Sequence, residues 1–236
     1  MPTNNNNKVI IKKLHDNKIT INLNNLLSKQ CNNIIKFLGI YKDENKFFLI
    51  TPLAEGNLRD YLKSKNYSLK EKIKIATDIT NGIRVLHEHN IIHENLHPKN
   101  ILMFDGIANI SDLPLPYEKK SIYFDEHYFE KIGYLDPDSL LNEHFEKRKS
   151  MDIYSLGSLL WEIMSEQVPY SKDKNIGIVQ LIHKIKEGHR EDDISKIPDI
   201  PAEYIDLYKK CWDKNSLDRP SIEDVYKNFH ILNNQL

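Results

Sequence analysis

Short apolar runs near the start of the chain alternate with polar turn residues, as in a small β-sheet. Residues 9–11 are consecutive β-branched residues and predict a strand. The runs 37–41 and 47–51 flank turn residues at 43–45 and predict a β-hairpin. An Asn-rich stretch runs into leucines at helical spacing over residues 17–27, which predicts a weak helix between the first strand and the hairpin.

Beyond a connector at residues 52–56, the pattern is mostly that of helices. Ser68 and Glu71 form an S-x-x-E capping box, and apolar residues follow at spacings of three and four to about Asn90. Residues 153–164 are apolar nearly all round, which predicts a buried central helix. Three further helices are predicted. The first begins after Asn175 and ends at Gly188, the second begins at Pro201, and the third begins at Ser221.

The region between these helices has weaker patterns. Residues 91–111 contain short apolar pairs separated by polar residues, with Gly106 in a turn, and predict loops and a hairpin. Asp112 is followed by Leu-Pro-Leu-Pro, and the two prolines disfavour regular structure directly after this acid. We therefore expect a long irregular segment that reaches about Asn142.

The composition is that of a globular protein. The 236 residues are 40% hydrophobic and 28% charged, which is enough to bury a core, and the formal net charge of −1 provides no basic field for nucleic acid or anionic membrane. Residues 1–7 are polar, and no apolar run approaches the ~20 residues that span a bilayer. Cys31 and Cys211 indicate free thiols. We expect a soluble, cytoplasmic protein with neither nucleic-acid nor membrane partners.

Eight short segments occur in the order and spacing in which the protein-kinase family carries its signatures. They are VIIK (9–12), NII (33–35), LRDYL (58–62), HENLHPKN (93–100), ISD (110–112), DPD (136–138), DIYSLG (152–157) and DRP (218–220). Each is weak alone, but the ordered series over residues 8–232 resembles a protein-kinase domain. Trp161-Glu162 and Cys211-Trp212 resemble the tyrosine-kinase-like branch of that family.

This resemblance implies an α+β, protein-kinase-like fold of two lobes. Residues 1–51 are expected to form a truncated small N-terminal sheet lobe, which lacks the family's first two strands. Residues 52–56 correspond to the hinge, and residues 57–236 to a large helical C-terminal lobe. The three parts together make one domain.

Phosphoryl transfer in this family needs residues that hold ATP and Mg²⁺ and an Asp that receives the hydroxyl proton. The resemblance places Lys12 at the family's strand lysine, and Thr51 and Ala54 at the nucleotide pocket. Asn100 and Asp112 match the pair that holds the metal ion. These five residues are the candidate cofactor site.

The catalytic positions depart from the family's pattern. Asn95 stands in place of the Asp that acts as base, and a neutral amide forfeits most of a contribution of ~10²–10⁴ in rate. Glu94 replaces the family's Arg and reverses the charge that pairs with a phosphorylated activation segment. Lys12 and Asn95 are the candidate catalytic positions, and Asn95 is the altered one.

Nucleotide binding is affected at other places too. Residues 1–8 leave no room for the two strands of a Gly-rich loop, and Ile10 occupies the volume that a smaller residue leaves for adenine in the family. Residues 17–33 contain no acidic residue, so Lys12 lacks its usual Glu partner, and Asn22 or Leu23 stands at that place.

These departures predict a pseudokinase, a signalling or scaffolding module that binds protein partners and binds ATP and Mg²⁺ weakly or not at all. One alternative is a residual kinase, in which Lys12, Asn100 and Asp112 still hold Mg-ATP and another group replaces the base. A second is an incomplete product whose full-length form begins with the missing strands. In that case the open sheet edge would be a site of pairing or aggregation.

A different enzyme class is raised by residues 93–97, which fit the H-E-x-x-H pattern of zinc proteases. That pattern works on a helix, where two His one turn apart bind the metal. Pro98 biases His97 away from the helical region, so this alternative ranks below both kinase interpretations.

Several charged residues of the larger lobe are assigned to structure. Asp138 stands where the family has a Glu and is expected to pair with Arg219. Asp152 is expected to brace the catalytic loop from the start of the central helix. Buried charges of this kind are tolerated when they are paired.

Overall fold

The chain forms two small sheets and a larger set of helices. The computed structural model describes residues 8–14, 27–44, 46–113, 128–140, 146–173 and 175–235. The strands are β1 (Val9–Leu14), β2 (Gly39–Asp43), β3 (Lys46–Pro52), β4 (Gly56–Asn57), β5 (Ile101–Phe104) and β6 (Ile107–Ile110). The helices are α1 (Leu58–Ser64), α2 (Leu69–Glu88), α3 (Tyr128–Ile132), α4 (Lys149–Ser165), α5 (Ile178–Glu187), α6 (Ala202–Cys211) and α7 (Ile222–Gln235). Short 3₁₀ turns lie at Pro98–Asn100, Ser171–Asp173 and Ile194–Lys196.

The N-terminal sheet is antiparallel, with the strand order β1-β3-β2. The predicted hairpin is confirmed as β2 and β3, and β1 lies along the other side of β3 with Val9 opposite Pro52. The Lys8 carbonyl accepts a hydrogen bond from the N–H of Leu53 at 3.1 Å. Since bonded and non-bonded pairs alternate, the next pair along, Val9 with Pro52, is a non-bonded one. Pro52 therefore costs no bond to β1, and β3 extends one residue into the predicted connector.

The buried core lies outside this sheet. Within the described residues, no strand of the β1-β3-β2 sheet contributes a side chain to the buried hydrophobic cluster, which comes from the helices, the second sheet and the segment at 27–34. Thr51 is the one residue of the three strands that is buried, among those described. The sheet is therefore held mainly by its own hydrogen-bond ladder.

Helix α2 forms because its start is capped and one face is apolar. Ser68 Oγ accepts from the N–H of Glu71 at 3.3 Å, and the Glu71 carboxylate accepts from the N–H of Ser68 at 2.8 Å, so the predicted capping box is confirmed. The apolar face packs against α4, α7 and β6. Its buried members are Ile73, Ile75, Ala76, Ile79, Ile83, Val85 and Leu86. The Glu71 carboxylate accepts hydrogen bonds from both the N–H and the Oγ of Ser68, and these two bonds lower the pKa of Glu71 to about 2.

The capping box gives a first prediction. The Ser68→Ala variant is expected to lose about 1 kcal/mol of stability in urea unfolding, because one N–H of the first turn of α2 loses its acceptor. The pKa of Glu71 should rise, which NMR titration of its side chain measures. Ser68→Thr keeps the hydroxyl and is the matched control. Equal stabilities of the Ala and Thr variants would show that the cap contributes nothing.

Helix α4 is the predicted central helix, and it is buried on nearly every side. Gly157 permits a close crossing with the end of α6, since a Cβ atom there would lie 2.6 Å from the backbone nitrogen of Trp212. Tyr204 Oη donates to the carbonyl of Leu160 at 2.8 Å and joins α6 to the same helix. Helix α4 is thus the element around which the C-terminal helices assemble.

The remaining predicted helices and the second hairpin are confirmed. α5, α6 and α7 begin within three residues of the predicted positions, and α5 ends at Gly188, whose φ of +96° makes it a left-handed cap. β5 and β6 are joined through Gly106, at φ +74°. The N–H of Glu55 donates to the carbonyl of Met103 at 3.0 Å, which ties the connector to this second sheet.

Two sequence predictions fall partly outside the described residues. The weak helix predicted at 17–27 is described only from residue 27, where a helical turn runs to residue 30. Of the irregular segment predicted to Asn142, residues 114–127 are not described, while Tyr128–Ile132 forms helix α3, so that part of the prediction is wrong. Helix α3 is held by tertiary contacts, as described below for Glu130, which local pattern does not reveal.

The predicted ion pair between Asp138 and Arg219 is also wrong. Arg219 pairs instead with Asp136, and both of these side chains are completely buried. Asp138 is exposed, and its N–H donates to the Asp136 carboxylate at 2.8 Å. The backbone carbonyl and the carboxylate of Asp136 both accept hydrogen bonds from N–H groups of the turn that follows it, and this turn directs the carboxylate inward.

Among the described residues, no helix has the length and apolar character needed to cross a membrane.

Candidate nucleotide cleft and catalytic loop

The loop that follows α2 is fixed by a buried carboxylate at the start of α4. Asp152 accepts hydrogen bonds from the N–H groups of His93 and Glu94 at 2.8 and 3.0 Å. Its Oδ2 also lies 2.8 Å from Nε2 of His87, a residue of α2. The predicted bracing role of Asp152 is confirmed, and the loop is rigidly tied to two helices.

This loop does not have the geometry of a zinc site. Residues 93–97 are not helical, and Glu94 has a φ of +64°, so His93 and His97 do not lie one helical turn apart. His93 Nε2 lies 2.8 Å from the carbonyl oxygen of Ser111. In the part of the chain that the structure describes, no group of His, Cys, Asp and Glu side chains is arranged to hold a metal ion. The zinc-protease interpretation is therefore rejected.

Asn95 lies at the centre of the loop and is half-buried. Its N–H donates to Nδ1 of His93 at 3.3 Å, and its carbonyl accepts from Nδ2 of Asn100 at 2.9 Å. The backbone of the loop is thus held on both sides of the position where a base is expected. The side chain presented there is a neutral amide, which has no useful affinity for a proton near pH 7.

The two predicted metal ligands are brought together by Ser111. Its N–H and Oγ donate to the carbonyl of Asn100 at 2.8 and 3.0 Å, which places Asp112 beside Asn100. Asp112 has a φ of +57°, a left-handed conformation that Asp adopts more readily than most residues. One carboxylate and one amide oxygen suit Mg²⁺, which usually takes few protein ligands and completes its shell with water and phosphate.

Lys12 reaches this pair from the other sheet. Its Nζ forms an ion pair with Oδ1 of Asp112, although 55% of the Lys12 side chain and 34% of the Asp112 side chain stay exposed. Lys12 and Ile10 project from the same face of β1, because side chains alternate along a strand. The structure therefore links four of the predicted residues: Lys12 pairs with Asp112, Ser111 bonds to Asn100 beside Asp112, and Asn100 bonds to the carbonyl of Asn95.

The other two predicted residues lie along the connector. Thr51 is buried and stands directly opposite Ile10 in the β1–β3 ladder, so the two side chains share a face. Ala54 is half-buried between β3 and β4. The structure thus places Thr51 and Ala54 near the connector between the two sheets, with the side chain of Ile10 next to that of Thr51.

Comparison with known proteins agrees with this geometry. A family model described as protein tyrosine and serine/threonine kinase matches residues 1–229. The chain belongs to the protein kinase family. The predicted two-lobed kinase fold, with a small sheet lobe and a helical lobe, is therefore confirmed.

The relatives include kinases named for both kinds of hydroxyl substrate. The chain is 32% identical over 220 residues to human receptor-interacting serine/threonine-protein kinase 1, covering 84% of this chain and 32% of that protein. It is 28% identical over 202 residues to the tyrosine-protein kinase Abl of Drosophila melanogaster, covering 82% and 12%. A putative serine/threonine-protein kinase/receptor of Acanthamoeba polyphaga mimivirus is 30% identical over 203 residues, covering 82% and 12%. The chain thus spans a third or less of the length of these relatives.

His97, the second histidine of the rejected zinc pattern, is a buried residue of the kinase loop. It is 6% exposed, and burial, with a smaller effect from Lys131, lowers the pKa of its imidazole to about 3. The ring is therefore neutral near pH 7. No charge from His97 is available there to balance a phosphate.

Glu94 makes a contact that the sequence did not reveal. Its carboxylate lies 2.8 Å from Nζ of Lys147, a residue just before α4. Glu94, which reverses the charge expected at its position, is therefore paired with a lysine of the same domain. Nothing in the local sequence around Lys147 marks it as this partner, since the two residues are 53 positions apart in the chain.

A buried polar network ties α3 to the kinase core, and it was also missed. Arg59 of α1 donates from Nε to Glu162 of α4 at 2.9 Å and from Nη2 to Tyr134 Oη at 2.9 Å, and the Tyr134 hydroxyl donates to Glu162. Arg59 also contacts Glu130 of α3 at 3.3 Å, and Lys99 contacts the same carboxylate at 2.9 Å. Helix α3 is thereby fixed against the end of the catalytic loop.

Proposed function

We propose that this kinase domain is a pseudokinase, which acts as a signalling or scaffolding module by binding protein partners. The observation that carries the proposal is the contrast within the catalytic loop. Its backbone is held by hydrogen bonds from His93 and Glu94 to Asp152 and from Asn100 to Asn95, yet Asn95 stands where the base is needed. A base of this kind contributes ~10²–10⁴ to a rate.

Weak nucleotide binding forms part of the same proposal. The Lys12–Asp112 ion pair supports it, because Mg-ATP must compete with an interaction that both side chains already make. Ile10 supports it too, since its side chain shares the face of β1 with Lys12 and stands opposite Thr51. Bound Mg²⁺ would neutralise phosphate charge, and Asp112 and Asn100 are the residues that would hold it.

A residual kinase is the second candidate. The proximity of Lys12, Asn100 and Asp112 favours it, because these are the groups needed for Mg-ATP. That candidate still requires some other group to accept the hydroxyl proton. Neutral His97, with its pKa lowered to about 3, is a poor one.

Nucleotide affinity separates the two candidates. If Kd for Mg-ATP is above 1 mM, about 1 mM ligand should raise the free energy of unfolding by less than about 0.4 kcal/mol, whereas a ligand at 100 times its Kd raises it by about 2.7 kcal/mol. Urea unfolding with and without Mg-ATP measures this. The Asp112→Asn variant is the control, since Asn tolerates the same left-handed backbone. A rise near the larger value in the native chain that is lost in the variant would contradict weak binding.

Transfer of labelled phosphate from ATP to a generic protein substrate tests catalysis directly. We expect no transfer above the level of the Asp112→Ala variant. Activity that disappears with Asp112→Ala would favour the residual kinase instead.

The buried, free thiols of Cys31 and Cys211 support action in a reducing compartment, and we propose the cytoplasm.

A further inference from the structure

Among the described residues, the outer side of β1 is uncovered. Every residue from Lys8 to Lys13 is exposed, including Val9, Ile10 and Ile11 at 41%, 44% and 56%. Tyr41 of β2, on the far side of β3, is also exposed, at 53%. Among the described residues, no strand pairs with the outer edge of β1. Apolar β-branched residues on an open edge favour the addition of another strand.

The direction of the unpaired backbone groups follows from the ladder. Lys8 bonds to Leu53 on β3, so by alternation Ile10 and Lys12 also face β3 with their backbone groups. Val9, Ile11 and Lys13 therefore direct their N–H and C=O groups outward. An added strand would find three such donor and acceptor pairs, with Ile11 at the centre.

The charge of this region defines what kind of strand fits. The described residues between 8 and 52 include seven lysines but only two acidic residues, Asp43 and Glu44, although the whole chain has a formal charge of −1. The lysines are Lys8, Lys12, Lys13, Lys29, Lys36, Lys42 and Lys46. Opposite charges directly across a strand pair stabilise it, and like charges destabilise it. A second copy of β1 would add Lys12 and Lys13, with Lys8 directly before them, so a self-pair is disfavoured.

We propose that the outer edge of β1 binds an extended segment of a partner protein by strand addition, and that this segment is apolar at its centre and acidic at its ends. Val9, Ile10 and Ile11 would contact the apolar centre, while Lys8 and Lys13 would pair with the acidic ends, and Lys12, which is paired with Asp112, would add to the positive field. This inference rests on the proposed partner-binding function and names its surface. Its test uses neither nucleotide nor phosphate transfer, so its failure would leave the predicted loss of catalysis untouched.

The probe is a fluorescein-labelled peptide, Glu-Glu-Val-Ile-Val-Glu-amide, matched to β1 in the antiparallel direction and titrated with the full chain by fluorescence anisotropy. We expect saturable binding. The peptide Lys-Lys-Val-Ile-Val-Lys-amide should bind about tenfold or more weakly, because each opposite-charge pair becomes a like-charge pair. Equal binding of the two peptides would overturn the acidic assignment.

Backbone pairing is tested by N-methylation of the peptide. In the expected register the first Val of the peptide lies opposite Ile11 and directs its N–H at β1, while the Ile that follows it directs its N–H away. N-methylation of this first Val should weaken binding about tenfold, and N-methylation of the Ile should weaken it little. Equal effects of the two modifications would overturn strand addition at this register.

The Ile11→Pro variant tests the edge from the protein side. Proline removes the outward N–H but no bond to β3, so its circular dichroism and melting temperature should match those of Ile11→Val, the control that keeps the donor. Binding should fall about tenfold in Ile11→Pro and little in Ile11→Val. Unchanged binding in Ile11→Pro would overturn the proposal. A native dimer in sedimentation equilibrium that Ile11→Pro dissolves and that excludes the peptide would also overturn it, since a second copy would then cover the edge.

Discussion

Replacing Asp136 with alanine is expected to destabilise the folded chain by about 3–5 kcal/mol, as found for buried ion pairs that lose one partner. Asp136 and Arg219 are both completely buried, so the variant leaves a guanidinium without a counter-charge. Arg219 keeps hydrogen bonds to the carbonyls of Ser150 and Asp213, at 2.9 and 2.8 Å, but these carry no net charge. Urea unfolding of native and variant chains gives the difference.

Asp138→Ala is the matched control for this experiment. Asp138 is exposed and lies two residues away, so its loss should change stability by no more than about 0.5 kcal/mol. The pair of variants also decides which acid partners Arg219 in solution. A large loss in Asp138→Ala together with a small loss in Asp136→Ala would contradict the structure.

The Arg59→Met variant is expected to lose a similar amount, about 3–5 kcal/mol near pH 7. Glu162, whose side chain is 3% exposed, would then be buried without its cationic partner. The contact of Arg59 with Glu130 would be lost as well, which removes one of the contacts that hold α3. Methionine keeps much of the volume of the arginine stem, so the loss measures charge and hydrogen bonding more than packing.

This loss should depend on pH. Burial raises the pKa of Glu162 and Arg59 opposes that rise, so loss of Arg59 should raise this pKa further and let the folded state take up a proton on Glu162 at a higher pH. The unfolded state ionises above the ordinary Glu pKa of about 4.3. The folded variant therefore binds more protons, and its stability relative to the native chain should fall as pH rises from about 5 to 7, by up to about 1.4 kcal/mol per pH unit.

A second substitution distinguishes an unpaired charge from a packing defect. In the Arg59→Met, Glu162→Leu double variant no ionisable group of the pair remains, so most of the lost stability should return and the added pH dependence should disappear. Tyr134→Phe is a milder control that removes only one hydroxyl from the network, with an expected loss of about 1–2 kcal/mol. A double variant that is less stable than Arg59→Met alone would show that shape, and not charge, governs this site.

Elements with strong local signals were predicted well from the sequence. The capping box at Ser68 and Glu71, the apolar face of α2 and the all-round apolar pattern of α4 each depend on residues within a few positions of one another. Gly188 ended α5 as expected because a left-handed cap is inexpensive for glycine. The order of the kinase-like motifs was sufficient to indicate the family and the two-lobed fold.

Contacts between distant segments were predicted poorly. The sequence offered both Asp136 and Asp138 for Arg219, and a turn of a few residues decided which carboxylate was directed inward. Helix α3 was missed because Arg59 and Lys99, far from it in sequence, provide charged partners for Glu130. The candidate cleft shows the same division, since the match to the family named Lys12 and Asp112 but not their direct ion pair.

The sequence by itself determined the elements, the family and the chemical character of the catalytic positions, including the neutral amide at Asn95. Tertiary structure alone decided which charges are paired, as for Lys12 with Asp112, and which strand edge has no neighbour among the described residues, as for the outer edge of β1. The physical reason is the separation along the chain over which each kind of interaction acts. Capping, periodicity and turn preference act between near neighbours, whereas pairing and burial depend on segments that meet only when the chain is folded.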